Sequence, residues 1–190
     1  MTSIAAAVID TERLALLPLR VAHAEEMAAV LADPALYAYT GGTPPTVEEL
    51  RSRYARQVAG SPDPEVVWCN WVIGVREETR GGRRSAESFA GPLAGYVQAT
   101  IGPDGDGRTA EIAWVVGTAR QGRGIATEAA RGLVRWLKEQ GVRTLVAHVH
   151  PDHRASAAVA KAIGLAPTGE RHDGEVRWRW TADQRPAVGP

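Results

Sequence analysis

With one cysteine, no surplus of either charge and no long apolar run, the 190-residue chain closes off several classes of protein before any motif is considered. A single thiol excludes an intramolecular disulfide, and Cys69, set in an apolar run, reads as a small core residue and not as a nucleophile. This usage fits a reducing compartment. Lys plus Arg and Asp plus Glu number 22 each, so no global field draws the chain to nucleic acid or to an anionic membrane. No stretch approaches the roughly 20 apolar residues that cross a bilayer. The opening MTSIAAAVID lacks the basic start of a signal peptide, so a soluble cytoplasmic protein is the expectation. The length suits one compact α/β domain and is too short for two well-filled cores. We expect a loose lead-in over 1–9, one domain over 10–182 and a tail over 183–190.

What is there alternates between strand and helix patterns. RLALLPL at 13–19 predicts a first strand ended by its own proline, and 21–32 predicts a helix stopped by Asp33-Pro34. Thr46 with Glu49 spells a capping box, and Leu50, Tyr54 and Val58 give a second helix over about 46–59. A strand over 66–76 carries Val67, Cys69, Trp71, Ile73 and Val75 on one face. The segment ETRGGRRSAESFAG lacks periodicity and reads as a mobile loop leading to a strand over 93–101. After a turn at 102–107, the strand over 110–116 holds one charge, Glu111. Ile125, Ala129, Leu133 and Leu137 mark the buried stripe of a helix closed by Gly141. A strand at 144–150, a helix at 155–163 closed by Gly164, and a hairpin turning at Asp173-Gly174 complete the series. Trp68, Trp71, Trp114 and Trp136 lie in regular elements, where core packing is the default, and core is also expected for Trp178 and Trp180.

RQGRGIATEA at 120–129 follows a strand and opens a helix. Glycines there let the backbone approach an anion, while unpaired N–H groups and the helix dipole supply the attraction. Arg120 and Arg123 would add charge-assisted contacts to a diphosphate. A dinucleotide fingerprint fits poorly: Thr127 stands where the third glycine belongs, and no acidic residue ends the next strand. His148, His150, Asp152 and His153 spell H-x-H-x-D-H, a zinc-hydrolase pattern, yet only His172 remains downstream to complete a ligand set, so no metal is expected.

From Gln121 the run Gln-Gly-Arg-Gly-Ile-Ala matches the Gln/Arg-x-x-Gly-x-Gly/Ala motif of the GNAT superfamily of N-acetyltransferases. AEIAWVVGTARQGRGIATEA resembles the strand–loop–helix core of that superfamily. TERLALLPL and HPDHRASAAVAKAIGLAPTGE resemble its RimJ/RimL-like branch, which acetylates ribosomal-protein amino termini; together the stretches span roughly 11–181. The resemblance implies a mixed α/β (α+β) fold whose sheet splays between its fourth and fifth strands. It also implies acetyl transfer from acetyl-CoA to an amine, directly and without an acyl-enzyme. Backbone groups of Trp114, Val115 and Val116 would pair with the pantetheine arm. Gln121, Gly122, Arg123, Gly124, Ile125, Ala126 and Thr127 would wrap the pyrophosphate. His153 stands where the family commonly has an asparagine near the pantetheine.

Direct attack needs a base for the amine's proton and a proton source for the departing thiolate. Glu111 is the candidate base, acting through water, and Ser156 the candidate hydroxyl at the thiolate, since no tyrosine lies on the helix after the fifth strand. An α-amine, with an unperturbed pKa of about 7.7–8.0, sheds its proton more readily than a lysine at about 10.4. The preferred acceptor is a protein or peptide amino terminus, with a small amine such as an antibiotic or polyamine as the alternative. The missing tyrosine and the replaced asparagine also leave open a module that holds acyl-CoA without turnover. A homodimer contact at the final hairpin is a further option, and neither the acceptor nor the oligomeric state is written in the sequence.

Overall fold

The computed structural model describes residues 4–76, 91–105 and 107–182. Within them, alternating apolar residues form one eight-stranded sheet of order β1-β2-β3-β4-β5-β6-β8-β7. The strands are β1 Ile9–Asp10, β2 Leu14–Pro18, β3 Val67–Val75, β4 Leu93–Asp104, β5 Gly107–Val116, β6 Val142–Val149, β7 Ala166–His172 and β8 Glu175–Thr181. Every neighbouring pair is antiparallel except β5 and β6, which run parallel. The turn between β7 and β8 has positive φ at both Asp173 (47°) and Gly174 (86°), the geometry expected of that dipeptide.

Both faces of the sheet are covered. Helices α3 (Ile125–Glu139) and α4 (Arg154–Ala162) pack on one face, where Trp71 and Trp136 meet edge to face with centroids 5.0 Å apart. On the other face α1 (Ala24–Val30) and α2 (Val47–Ala59) bury Met27, Leu50 and Tyr54 against Val72 and Leu93. The expected α3 stripe is buried throughout. The expected capping box at Thr46 and Glu49 starts α2, with both reciprocal hydrogen bonds made (2.7 and 3.2 Å).

The structure departs from expectation in several places, among them the turn read at 102–107, most of which is strand because β4 runs to Asp104 and β5 begins at Gly107. Part of the lead-in is packed: Ile4 and Ile9 are buried, and the Ala7 carbonyl accepts from the Trp71 indole at 2.7 Å. A fully buried indole N–H needs a partner, and the segment supplies it. The first helix is shorter, because a 3₁₀ turn, Val21–His23, precedes α1, with the Arg20 amide donating to His23 Nδ1. A further 3₁₀ turn, Pro34–Tyr37, capped by Asp33, is too short to leave a periodic signal in the sequence. Trp68 is only half-buried and belongs to neither core cluster, unlike Trp71; Trp114, Trp178 and Trp180 flank the first cluster. Cys69 is fully buried, and burial pushes its thiol up to about 11. The loop read at ETRGGRRSAESFAG falls almost wholly outside the described residues, as does the tail over 183–190.

Candidate active site

The parallel pairing of β5 with β6 lasts only from Arg108↔Val142 to Glu111↔Val146. Beyond Glu111 the two strands diverge, while β4 continues to pair with the other edge of β5 as far as Val116. The edge of β5 facing β6 from Ile112 onward therefore has no strand partner among the described residues. That edge, free of any strand ladder, faces a cavity of about 560 Å³. Trp114, Val115 and Val116 form one wall; His148 and Val149 of β6, with His150 just beyond it, form the other.

The cavity runs on to the start of α3. A 3₁₀ turn, Thr118–Arg120, leads from β5 to Gly122 and Gly124, whose φ values of 73° and 74° lie in the left-handed region. Gly124 is the N-cap and offers no side chain, and the first intrahelical bond runs from Glu128 N to its carbonyl (3.0 Å). The amides of Ile125, Ala126 and Thr127 thus lack intrahelical acceptors, and the three residues line the cavity. Gln121 braces the loop, because its Nε2 donates to the Val116 carbonyl at 2.9 Å and ties that loop to the end of β5. Arg120 lines the cavity, whereas Arg123 does not.

Arg123 is instead held through its backbone. Arg13, just ahead of β2, donates from Nη1 to the Arg123 carbonyl (3.0 Å) and from Nε to Glu128 Oε2 (2.7 Å). Glu128 Oε1 also accepts from the Thr11 hydroxyl (2.6 Å) and the Arg13 amide (2.8 Å). Burial pushes the Glu128 carboxyl up, but the donors from Thr11 and Arg13 outweigh it and hold the carboxyl below its ordinary value. A lowered folded-state pKa means stability that is fully present above the unfolded value of about 4.3 and lost as the pH falls further. Glu128→Gln should therefore cost about 1 kcal/mol at pH 7, because the half-exposed Arg13 guanidinium is screened by water. The gap between the variant and parent melting curves should begin to close as the pH falls below about 4.3 and go on closing through the lowered folded-state value, which thermal melts across pH check.

On the opposite side, Ser156 lies in the first turn of α4, and its amide donates to Nδ1 of the N-cap His153 (3.4 Å). Burial, with His150 alongside, lowers the His153 pKa, so the ring stays neutral near pH 7 and keeps this lone pair. The His153 ring stacks on Tyr39 at 4.4 Å. Glu111 projects from the last paired position of β5, and its Oε1 lies 3.3 Å from His148 Nδ1. The members of the histidine run thus have separate partners, since His148 meets Glu111, His150 accepts from the Asp152 amide, and His153 caps α4. Among the described residues no group of three could hold a metal ion.

All the sequence-expected site residues except Arg123 line this one cavity. Arg13, Glu128, Tyr39 and His148 carry no local signal that places them here, because each contacts a partner distant in the chain.

A family profile described as an acetyltransferase (GNAT) domain matches residues 13–166. The chain belongs to the GNAT acetyltransferases. An acetyltransferase from Agrobacterium tumefaciens str. C58 is 26% identical, at TM-score 0.67 over 95% of this chain and 97% of its own. RimL, a ribosomal L7/L12 alpha-N-protein acetyltransferase solved with coenzyme A, is 16% identical, at TM-score 0.70 over 92% of this chain and 98% of its own. The microcin C7 self-immunity acetyltransferase MccE, solved with acetyl-CoA and AMP, is 17% identical, at TM-score 0.66 over 90% of this chain and 93% of its own. The latter two likenesses speak to the fold. No curated protein matches the chain. Divergence of the fourth and fifth family strands, here β5 and β6, is what the resemblance implied for a GNAT sheet.

Proposed function

We propose that this GNAT acetyltransferase moves the acetyl group of acetyl-CoA onto the α-amine of a protein or peptide amino terminus, in a ternary complex. The observation that carries the reading is one continuous cavity joining the bare amides of α3, the open edge of β5, and the side chains of Glu111 and Ser156. The α3 amides suit the coenzyme's pyrophosphate, and the β5 edge suits the amides of its pantetheine arm. The thioester then falls near the mouth of the splay. The amine nitrogen attacks the thioester carbonyl, the C–S bond breaks, and sulfur leaves with the electron pair. Glu111 draws the proton shed by nitrogen through an intermediary, and Ser156 hands a proton to the thiolate.

Two likenesses support the N-terminal acceptor: RimL, and a putative ribosomal-protein-serine acetyltransferase from Vibrio cholerae. The likeness to MccE supports a small-amine acceptor as the second reading. Thiol release from acetyl-CoA, measured over peptides with free amino termini and over small amines, decides between them. Glu111→Gln should lower kcat/KM by about 10²-fold and Ser156→Ala by about tenfold, with acetyl-CoA affinity within threefold of the parent. Unchanged turnover in both variants would remove the catalytic assignment.

A further inference from the structure

Glu111 is well exposed, whereas the His148 side chain that it meets is only 16% exposed and projects just past the last β5–β6 pair. Val146 is the ladder partner of Glu111, and His148 lies two residues further along β6 on the same face. The ring therefore stands where the strands begin to part, with Nδ1 towards the carboxylate. His172, from β7, covers it with ring centroids 5.4 Å apart. Opposite on β8 is Arg177, whose guanidinium is engaged by Glu170, and Glu175 lines the same cavity. The titratable and charged groups around the imidazole are therefore the carboxylates of Glu111 and Glu175, the His172 ring and the Arg177 guanidinium, which Glu170 already engages.

We propose that His148 is the catalytic base and that Glu111 is its positioning residue. Resting on the reading above, this names the intermediary through which Glu111 acts. Nδ1 carries a proton and donates it to Glu111, which leaves the Nε2 lone pair for the amine. When nitrogen bonds to the acetyl carbon and the C–S bond breaks, the proton leaving nitrogen moves to Nε2. Glu111 stabilises the imidazolium that results, and solvent later removes the proton. An imidazole, near 6.5 when unperturbed, matches an α-ammonium at about 7.7–8.0 far better than a carboxylate near 4.3. A carboxylate that fixes the tautomer and orientation of a basic imidazole is an economical use of both groups.

The test compares His148→Asn with Glu111→Gln. Asparagine keeps an N–H donor near the Nδ1 position but has no base. His148→Asn should lose at least about 10²-fold in kcat/KM at pH 7 with acetyl-CoA affinity, measured by calorimetry, unchanged. It should also lose the acid limb of the kcat/KM–pH profile. Glu111→Gln should lower activity yet keep an acid limb. Turnover of His148→Asn within threefold of the parent, or an unaltered acid limb, overturns the proposal and returns the role to Glu111 acting through water. Imidazole ¹⁵N shifts of the parent protein at pH 8 give a readout independent of any acceptor. A proton on Nδ1 supports the relay, and a proton on Nε2 overturns it. Failure to acetylate any amine in the panel counts against the acceptor reading and leaves this second measurement to decide the relay.

Discussion

Gly95→Ala is expected to cost about 3 kcal/mol or more and to lower the melting temperature by roughly 6–12 °C. A Cβ at this position would lie 2.0 Å from the Val115 carbonyl oxygen and 2.9 Å from both the Val115 carbonyl carbon and the Val116 Cα. All three are backbone atoms, so no rotamer change relieves the overlap. The only escape is to part β4 from β5 at that pair, and Val115 and Val116 are also a wall of the cavity. Protein that survives the substitution should therefore bind acetyl-CoA more weakly than the stability loss alone explains. Gly102→Ala, on the same strand, is the control: its Cβ would meet only the Val66 side chain, at 4.0 Å, and the melt should hold. Circular-dichroism melts with coenzyme calorimetry check both, and a Gly95→Ala melt within a degree of the parent refutes the argument.

Gly124→Val should weaken acetyl-CoA binding by roughly 30-fold, equivalent to about 2 kcal/mol, while the fold survives. The φ of 74° is a conformation that a β-branched residue adopts only under strain. Relief means turning the first amides of α3 away from the cavity. Space is not the obstacle, since the nearest atom to a Cβ there is Arg13 Nη2 at 3.4 Å. Gly141→Val separates strain from function, because Gly141 has a similar φ of 79° at the far end of α3, away from the cavity. It should lose stability and keep coenzyme affinity. Equal affinity in the two variants would mean that the α3 amides do not grip the coenzyme.

Much of this site was legible from local pattern. The period of Ile125, Ala129, Leu133 and Leu137 marks α3, and glycines just ahead of such a stripe mark an anion loop. Glu111, as the single charge in an apolar strand, stood out for the same reason. What escaped was everything set by register and by distant pairing. Nothing in the sequence announces that β6 enters parallel to β5 with Val146 beside Glu111, and without that register His148 was one of several histidines in a run. Arg13 and Glu128 are separated by 115 positions, so their pairing has no periodic trace. The packing of residues 4–9 leaves little trace in the sequence, because two isolated isoleucines make too faint a signal and the hydrogen bond to Trp71 exists only once the sheet has closed.

The separation between Arg13 and Glu128 bears on how the protein matures. A contact spanning so much chain carries a large loop-closure cost, which falls once the intervening strands are in place. The cradle proposed for the coenzyme therefore needs the start of the chain joined to its middle, since Arg13 holds the Arg123 carbonyl. Saturation with acetyl-CoA during refolding becomes a gauge of completion, reporting when the earliest and the middle parts of the polypeptide have finally met.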